Sequence, residues 1–156
     1  MLHDGVRTTG TVGSGNSLVG SVSGDAVGDG LIQIGSSPIW ALKSSSLNGG
    51  AGAVTFINPA NLPVGAINSG NSLVGSLATD RIGHNVNGGS SNFDFVGGKF
   101  AIYSPAWNNS AGAVTFGDVA TGLTPGVVSA GNSLVGAASG DLVGASRIID
   151  TGFGFA

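Results

Sequence analysis

The fold is decided by the run Asn16-Ser17-Leu18-Val19-Gly20, which recurs at residues 71–75 and 132–136. A second block, Gly-Ala-Val-Thr-Phe, occurs at residues 52–56 and again at residues 112–116. Each copy of the first block is followed by an Asp-x-x-Gly motif that begins at Asp25, Asp80 or Asp141. Recurrence of several blocks in the same order, about sixty residues apart, indicates a repeat architecture.

The composition favours strands and tight turns over helices. The 156 residues include 30 glycines, and all 8 acidic residues are aspartate. The long straight-chain residues that cover helix surfaces are nearly missing. Charged residues make up 8% of the chain, against roughly 25% in an ordinary soluble domain. We therefore expect an all-β protein that is kept soluble by burial in an assembly or by a coat of Ser, Asn and Gly.

Several classes of function are disfavoured by the same residues. A net charge of −3 and the lack of a basic patch argue against nucleic-acid binding. No apolar run approaches the roughly 18 residues that a membrane-spanning helix needs. The sequence lacks a Gly-x-Ser-x-Gly elbow, and an aspartate that recurs in every copy indicates a structural role. We therefore predict a non-enzymatic protein without cofactors, nucleic-acid partners or membrane insertion.

Each repeat contains about four short strand candidates, which is typical of a β-propeller blade. They lie at residues 16–21, 31–36, 53–57 and 64–68, and the second is matched to residues 99–104. We predict one repeat domain over residues 1–156, with about two and a half four-stranded units per chain. A parallel β-solenoid is the alternative. The predicted units cover residues 1–15 (partial), 16–70, 71–131 and 132–156 (partial).

The first full copy resembles the FG-GAP repeat, the blade unit of integrin-α-type β-propellers. The resemblance is carried by residues 16–20, 24–30, 31–38 and 52–56. The chain is also similar to Gly/Asn/Ser-rich repeats of large secreted bacterial adhesin-like proteins. These resemblances imply a propeller fold and a location outside the cell or at its surface. They also imply a weak Ca²⁺ site, because the family's loop commonly carries Asp-x-Asp-x-Asp-Gly.

The loop departs from that calcium pattern. Its middle ligand position is apolar in all three copies, and only the first copy retains a second carboxylate, so that Asp25 and Asp29 are the only Ca²⁺ candidates. Calcium takes six to eight oxygen ligands, which favours a second interpretation. In that interpretation the recurring aspartates accept hydrogen bonds from N–H groups of their own turns. This structural role is predicted for Asp25, Asp80 and Asp141.

Two tryptophans are candidates for a ligand site. Trp40 and Trp107 each follow a Ser-Pro-x sequence, and the two Ser-Pro-x-Trp runs are taken as equivalent. One interpretation is packing between repeats. The other is a platform on which a sugar ring stacks, with Tyr103 and Asn108 supplying polar contacts. This lectin-like function is the alternative to a structural role.

The two ends of the sequence suggest self-association. Residues 10–16 match residues 126–132, so the chain starts with the end of a unit, and residues 147–156 start another. Unpaired sheet edges present free N–H and C=O groups, and head-to-tail pairing between copies gives a ring or a filament. We expect a structural or adhesive extracellular protein whose partner is itself. A piece of a longer array is the alternative.

Overall fold

Short runs of Val, Ile, Leu and Phe form the strands of this protein, and glycines punctuate them. The computed structural model describes residues 10–84 and 92–146. Residues 1–9, 85–91 and 147–156, which include parts of the predicted terminal units, lie outside the described residues. The strands are β1 (Leu18–Val19), β2 (Gly30–Gln33), β3 (Trp40–Ser44), β4 (Ala53–Ile57), β5 (Gly65–Ala66), β6 (Ser72–Val74), β7 (Phe93–Val96), β8 (Lys99–Ser104), β9 (Ala113–Asp118), β10 (Gly126–Val127) and β11 (Leu134–Val135).

Two single-turn helical segments interrupt the strands, and both contain left-handed residues. They are α1 (Leu47–Gly50) and α2 (Trp107–Ser110). Asn48 has φ 50° and ψ 48°, and Asn108 has φ 48° and ψ 62°. Only Gly, and to a lesser degree Asn and Asp, visit this conformation at small cost. This preference explains the sequences Leu-Asn-Gly-Gly and Trp-Asn-Asn-Ser at these places, and we call both segments left-handed turns.

Each full repeat forms one antiparallel sheet. The first, residues 30–84, has the order β2-β3-β4-β6, and the second, residues 92–146, has the order β7-β8-β9-β11. Neighbouring repeats are joined by short parallel pairs, because β6 also pairs with β10, and β1 of the partial repeat (residues 10–29) pairs with β5. When the repeats are defined by their sheets, residues 72–74 therefore belong to the first full repeat, residues 30–84.

The structure confirms the all-β prediction and the presence of repeats. The sheets are open, and no closed barrel forms among the described residues. The two parallel pairs involve only two residue pairs each, whereas the long ladders β2·β3, β3·β4, β7·β8 and β8·β9 are antiparallel. A parallel β-solenoid, the alternative prediction, disagrees with this pattern.

The hydrogen-bond register corrects the predicted strand alignment. Ser44 pairs with Ala53 in the first full repeat, and Ser104 pairs with Ala113 in the second. Residues 99–104 therefore correspond to β3 and not to residues 31–36, which was the predicted match. The β2 counterpart is β7. The short Ser-Pro-x-Trp runs had suggested a different alignment, but strand pairing fixes the equivalence of residues.

The same register separates the two tryptophans. Trp40 corresponds to Phe100, and Trp107 corresponds to Leu47. The equivalence of the two Ser-Pro-x-Trp runs was therefore wrong. After Trp40, residues 41–44 continue strand β3, and residues 47–50 form the left-handed turn.

The repeats stack so that one face of each sheet, which we call the front, packs against the opposite face, the back, of the next sheet. Side chains of cross-strand partners lie on the same face of a sheet. One buried cluster joins the front of the first full repeat (Ala41, Val54, Leu73, Ile82) to the back of the second (Phe93, Phe100, Ile102, Ala113, Val128). A second cluster repeats this arrangement, with Leu18 and Val27 of the partial repeat packed on Leu47, Ala53, Ile67 and Val74. The front face of each sheet therefore packs against the back face of the sheet that follows it.

An aromatic pair lies at the centre of the contact between the full repeats. The ring centroids of Phe56 and Phe100 are 5.1 Å apart, with an angle of 31° between the ring planes. Gly117 lies opposite Phe100 on β9, and a Cβ at this position would overlap the Phe100 ring. The glycine therefore leaves the space that the Phe100 ring needs to reach Phe56.

We predict that Gly117→Ala destabilises the protein by about 1–3 kcal/mol, the usual cost of overpacking a core. The fully buried Phe100 ring must leave its position to admit the methyl group. Gly13→Ala is the matched control, because a Cβ at Gly13 meets no atom within 4 Å. Denaturant unfolding measures both changes. Equal stability of the two variants would contradict this account of Gly117.

Candidate functional site

A buried carboxylate bridges the two full repeats. Asp80 Oδ2 accepts hydrogen bonds from the backbone N–H groups of Ser76 at 2.7 Å and Leu77 at 2.9 Å, in its own loop. Asp80 Oδ1 accepts the N–H of Asn108 at 2.9 Å, in the left-handed turn of the next repeat. The Asp80 side chain has no exposed surface. We call this arrangement, an aspartate bonded to its own loop and to the next left-handed turn, the aspartate bridge.

The aspartate bridge recurs one repeat earlier. Asp25 Oδ2 accepts the N–H groups of Ser21 at 2.7 Å and Val22 at 3.0 Å, and its Oδ1 accepts the N–H of Asn48 at 2.8 Å. The Asp25 side chain is also buried. The same three hydrogen bonds therefore recur here, and the one from Asn48 attaches the partial repeat to the first full repeat.

The third aspartate makes only the local half of the bridge. Asp141 Oδ2 accepts the N–H groups of Ala137 at 2.8 Å and Ala138 at 2.9 Å. Among residues 10–84 and 92–146, no left-handed turn follows it to donate to Oδ1, and Asp141 is exposed. Burial of the aspartate thus depends on the presence of the next repeat.

The loop that carries each aspartate is held in a strained conformation. The residue after the aspartate has positive φ in every copy: 44° at Ala26, 52° at Arg81 and 54° at Leu142. Such a conformation costs an L-residue roughly 1–2 kcal/mol. In the full repeats, backbone bonds to the repeat's own left-handed turn offset this cost, since Arg81 donates to Gly50 O and Leu142 donates to Ser110 O. The Asp80 loop therefore lies between two successive left-handed turns, at Asn48 and Asn108.

Hydrogen bonding decides the ionisation of Asp25. Burial acts most strongly on its pKa and raises it, because a buried charge loses hydration. The N–H groups of Val22, Asn48 and Ser21 and the Ser21 hydroxyl act against burial and together outweigh it. The net pKa of Asp25 lies below the ordinary value of 3.8, so Asp25 is a carboxylate anion at neutral pH.

The sugar-site candidates lie in different environments. Trp40 is a half-buried residue of β3, and Trp107 packs against the core between the full repeats. Tyr103 is 2% exposed, and its hydroxyl donates to Asp94 Oδ2 at 2.8 Å. Asn108 has an exposed side chain, and its backbone N–H belongs to the aspartate bridge. The structure gives these four residues no common exposed surface.

The calcium candidates are occupied by protein donors. Both oxygens of Asp25 accept backbone N–H groups, and Asp29 Oδ2 accepts the backbone N–H of Ser45 at 2.9 Å and the Ser45 hydroxyl. N–H donors aimed at a carboxylate oppose a cation at the same oxygens, so these two residues do not fit a Ca²⁺ site. No group of three or more metal-ligating side chains occurs within the described residues.

Sequence reasoning missed the donor half of the bridge, which lies in the next repeat. The left-handed turns at Asn48 and Asn108 each contribute a backbone N–H. The residue type does not reveal that this group makes a contact. One signal was available, because Asn48 and Asn108 each lie four residues before the Gly-Ala-Val-Thr-Phe block. Asn followed by Gly or Asn at a fixed distance from a repeated strand is the pattern expected of a recurring left-handed turn.

Fold and site together define an all-β repeat protein whose units stack and are joined by a buried aspartate. The chain belongs to the family described as "Repeat of unknown function (DUF5650)", which matches residues 3–29, 34–84 and 95–145. Each match ends one residue after the Asp-x-x-Gly motif. Comparison with curated proteins and with solved structures gives no match to this chain. Within the part that the structure describes, no helix is long and apolar enough to cross a membrane.

We predict that Asp80→Asn destabilises the protein by about 1–3 kcal/mol, because an amide nitrogen cannot accept a hydrogen bond and leaves a buried donor unpaired. Asp141→Asn, which alters the same motif at an exposed position without the inter-repeat bond, is expected to cost less than half as much. Denaturant unfolding of the two variants makes the comparison. Equal losses of stability would show that the bridge to Asn108 contributes nothing.

We predict that the stabilisation from Asp25 disappears in acid. Because its native pKa lies below the unfolded value of about 3.9, the carboxylate stabilises the native state above that pH. This contribution is lost as the pH falls through the native pKa. The difference in unfolding free energy between wild type and Asp25→Asn should therefore shrink below about pH 4. A difference that stays constant or grows on acidification would be inconsistent with a depressed pKa.

Proposed function

We propose that this chain is a non-enzymatic structural repeat protein that associates with copies of itself, head to tail, into a ring or a filament. We place it outside the cell or at the cell surface, in a structural or adhesive role, on the basis of its resemblance to secreted repeat proteins. Its low charge supports extensive burial in an assembly.

The observation that carries the proposal is an open back face on the first full repeat. Leu31 is 51% exposed, whereas its counterpart Phe93 in the second full repeat is 1% exposed. Trp40 and Leu42 are half-buried, whereas their counterparts, Phe100 and Ile102, are fully buried. In the second full repeat this face is covered by the repeat before it. The open face of the first therefore has the chemistry of a stacking surface.

The opposite end of the stack is open as well. Leu134 is 63% exposed, whereas its counterpart Leu73 is fully buried beneath the second full repeat. Strand β11 pairs with β9 on one side, but among the described residues it lacks the parallel partner that β10 provides for β6. An open stacking face at one end and an open edge at the other are complementary, which supports head-to-tail association.

We further propose that each four-stranded sheet is a blade of the propeller type. The support is the antiparallel order β2-β3-β4-β6 and its repetition as β7-β8-β9-β11, together with the FG-GAP resemblance. Face-to-face packing of four-stranded sheets is the way in which propeller blades meet.

Carbohydrate binding is the second candidate function, and Trp40 is the observation that favours it. Trp40 lies on the open back face, directly across from the exposed Gln33 on β2. The Trp40 ring offers a flat face for a sugar ring, and the Gln33 amide offers both hydrogen-bond donors and an acceptor. A sugar that binds wild type and not Trp40→Ala, with self-association absent in both, would favour this function over the first.

We predict that Leu31→Ser weakens self-association without unfolding the chain, because it removes apolar area from the open back face. Leu62→Ser is the matched control, since Leu62 is 63% exposed and lies outside the stacking face, between β4 and β5. Sedimentation velocity over a range of concentrations measures association. We expect wild type and Leu62→Ser to associate alike and Leu31→Ser to associate about tenfold more weakly, the effect of roughly 1.4 kcal/mol. A wild-type chain that stays monomeric throughout would overturn the proposal.

A further inference from the structure

We infer that residues 10–29 and residues 126–145 are interchangeable occupants of one binding seat, and that copies associate when residues 126–145 of one chain replace residues 10–29 of another. The seat consists of strand β5 and the left-handed turn at Asn48. This inference rests on the proposed self-association and names the segments that carry it.

The two segments match in sequence and in local structure. Both contain Asn-Ser-Leu-Val-Gly followed by Ser-Gly-Asp. In both, the aspartate Oδ2 accepts two N–H groups of its own loop. The residue after the aspartate has positive φ in both. The segment at 126–145 is therefore already folded in the shape that the seat accepts.

The backbone hydrogen bonds of the seat also occur between the two full repeats. Gly65 N–H donates to Ser17 O and Ile67 N–H donates to Val19 O, each at 3.0 Å. The corresponding bond between the full repeats, Val128 N–H to Val74 O, is also 3.0 Å long. The acceptors are the first and last carbonyls of a Ser-Leu-Val sequence, and residues 126–145 contain the same sequence at residues 133–135. The seat cannot distinguish the two segments by these bonds.

The resident segment, residues 10–29, is held by fewer strand pairings than residues 126–145. Strand β6 is held on both sides, by β4 and by β10. Strand β1 pairs only with β5 among the described residues, whereas β11 is already anchored to β9. Replacement of β1 by β11 of a second copy creates a continuous ladder β9-β11-β5 across two chains. It also brings a whole sheet toward Leu31, Trp40 and Leu42, which residues 10–29 leave open.

Asp141 gains a partner in the exchanged state. It is exposed, and its Oδ1 has no donor among the described residues, whereas Asp80 is fully buried under Asn108. In the seat, Asp141 accepts the N–H of Asn48 and completes the aspartate bridge. The resident segment keeps the advantage of being tethered at a high effective concentration, so exchange requires high protein concentration.

The two equivalent aspartates therefore have opposite effects on association. Asp25→Ala weakens the resident segment and frees the seat, and we expect it to tighten self-association about tenfold, the effect of losing hydrogen bonds to a charged group. Asp141→Ala removes the incoming contact, and we expect association to weaken by a similar factor. Sedimentation velocity measures both variants at matched concentrations.

Cysteine cross-linking tests the register independently of stability. The chain has no native cysteine. Val19 lies opposite Ala66 in the resident pair, so Val135 of a second copy should take that position. Mixed full-length chains carrying Ala66→Cys and Val135→Cys are expected to form a disulfide-linked dimer on oxidation. Chains carrying Val127→Cys are the control partner, because β10 is already paired with β6, and we expect them to give no dimer with Ala66→Cys.

A disulfide within one chain, which we call the lock, provides the last test. Val19→Cys with Ala66→Cys should hold β1 in the seat, abolish association on oxidation and restore it on reduction. Association that persists in the oxidised lock, without an Ala66–Val135 cross-link, would overturn the exchange and leave the proposed self-association standing. A chain that never associates would remove both.

Discussion

A carboxylate held between two loops joins each repeat of this protein to the next. Asp80 takes two N–H groups from its own loop and one from the left-handed turn at Asn108. A buried charge is tolerated only when it is fully hydrogen-bonded, and here its last donor belongs to another repeat. The loop, with its strained residue Arg81, therefore gains its last donor only where the next repeat packs on it. Asp141, whose Oδ1 has no such donor among the described residues, is exposed where Asp80 is buried.

The composition follows from this way of packing. A sheet that is covered on both faces needs apolar residues on both, and its turns must be tight enough to let neighbouring sheets approach. Phe56 meets Phe100 across the contact because Gly117 leaves room for the ring. Within the second full repeat, Gly112 lies equally close to the backbone of Val143. High glycine content and low charge are thus consequences of stacking thin sheets, which removes the surfaces where charged residues usually lie.

The sequence was sufficient to predict the all-β class, the repeats and their approximate period, because the repeated blocks and the residue types carry that information directly. It misled at Trp40 and Trp107, where a four-residue match suggested an equivalence that strand pairing rejects. Register depends on hydrogen bonds between distant segments, such as Ser44 with Ala53, and a short local match cannot reveal it. The recurring Asn marks the turn that contains the partner of Asp80, but the contact itself depends on a main-chain N–H and on the left-handed conformation of Asn108, which the sequence does not specify.

The account is tested most directly by hydrogen exchange of the Asn108 backbone amide, followed by NMR. Asn108 belongs to a turn with an exposed side chain, so its amide would ordinarily exchange quickly. If its N–H is bonded to the buried Asp80 carboxylate, it should exchange as slowly as the amides of the neighbouring strand β8, and only through opening of the contact between repeats. Exchange at the rate of an open loop would show that the repeats are not joined through this carboxylate.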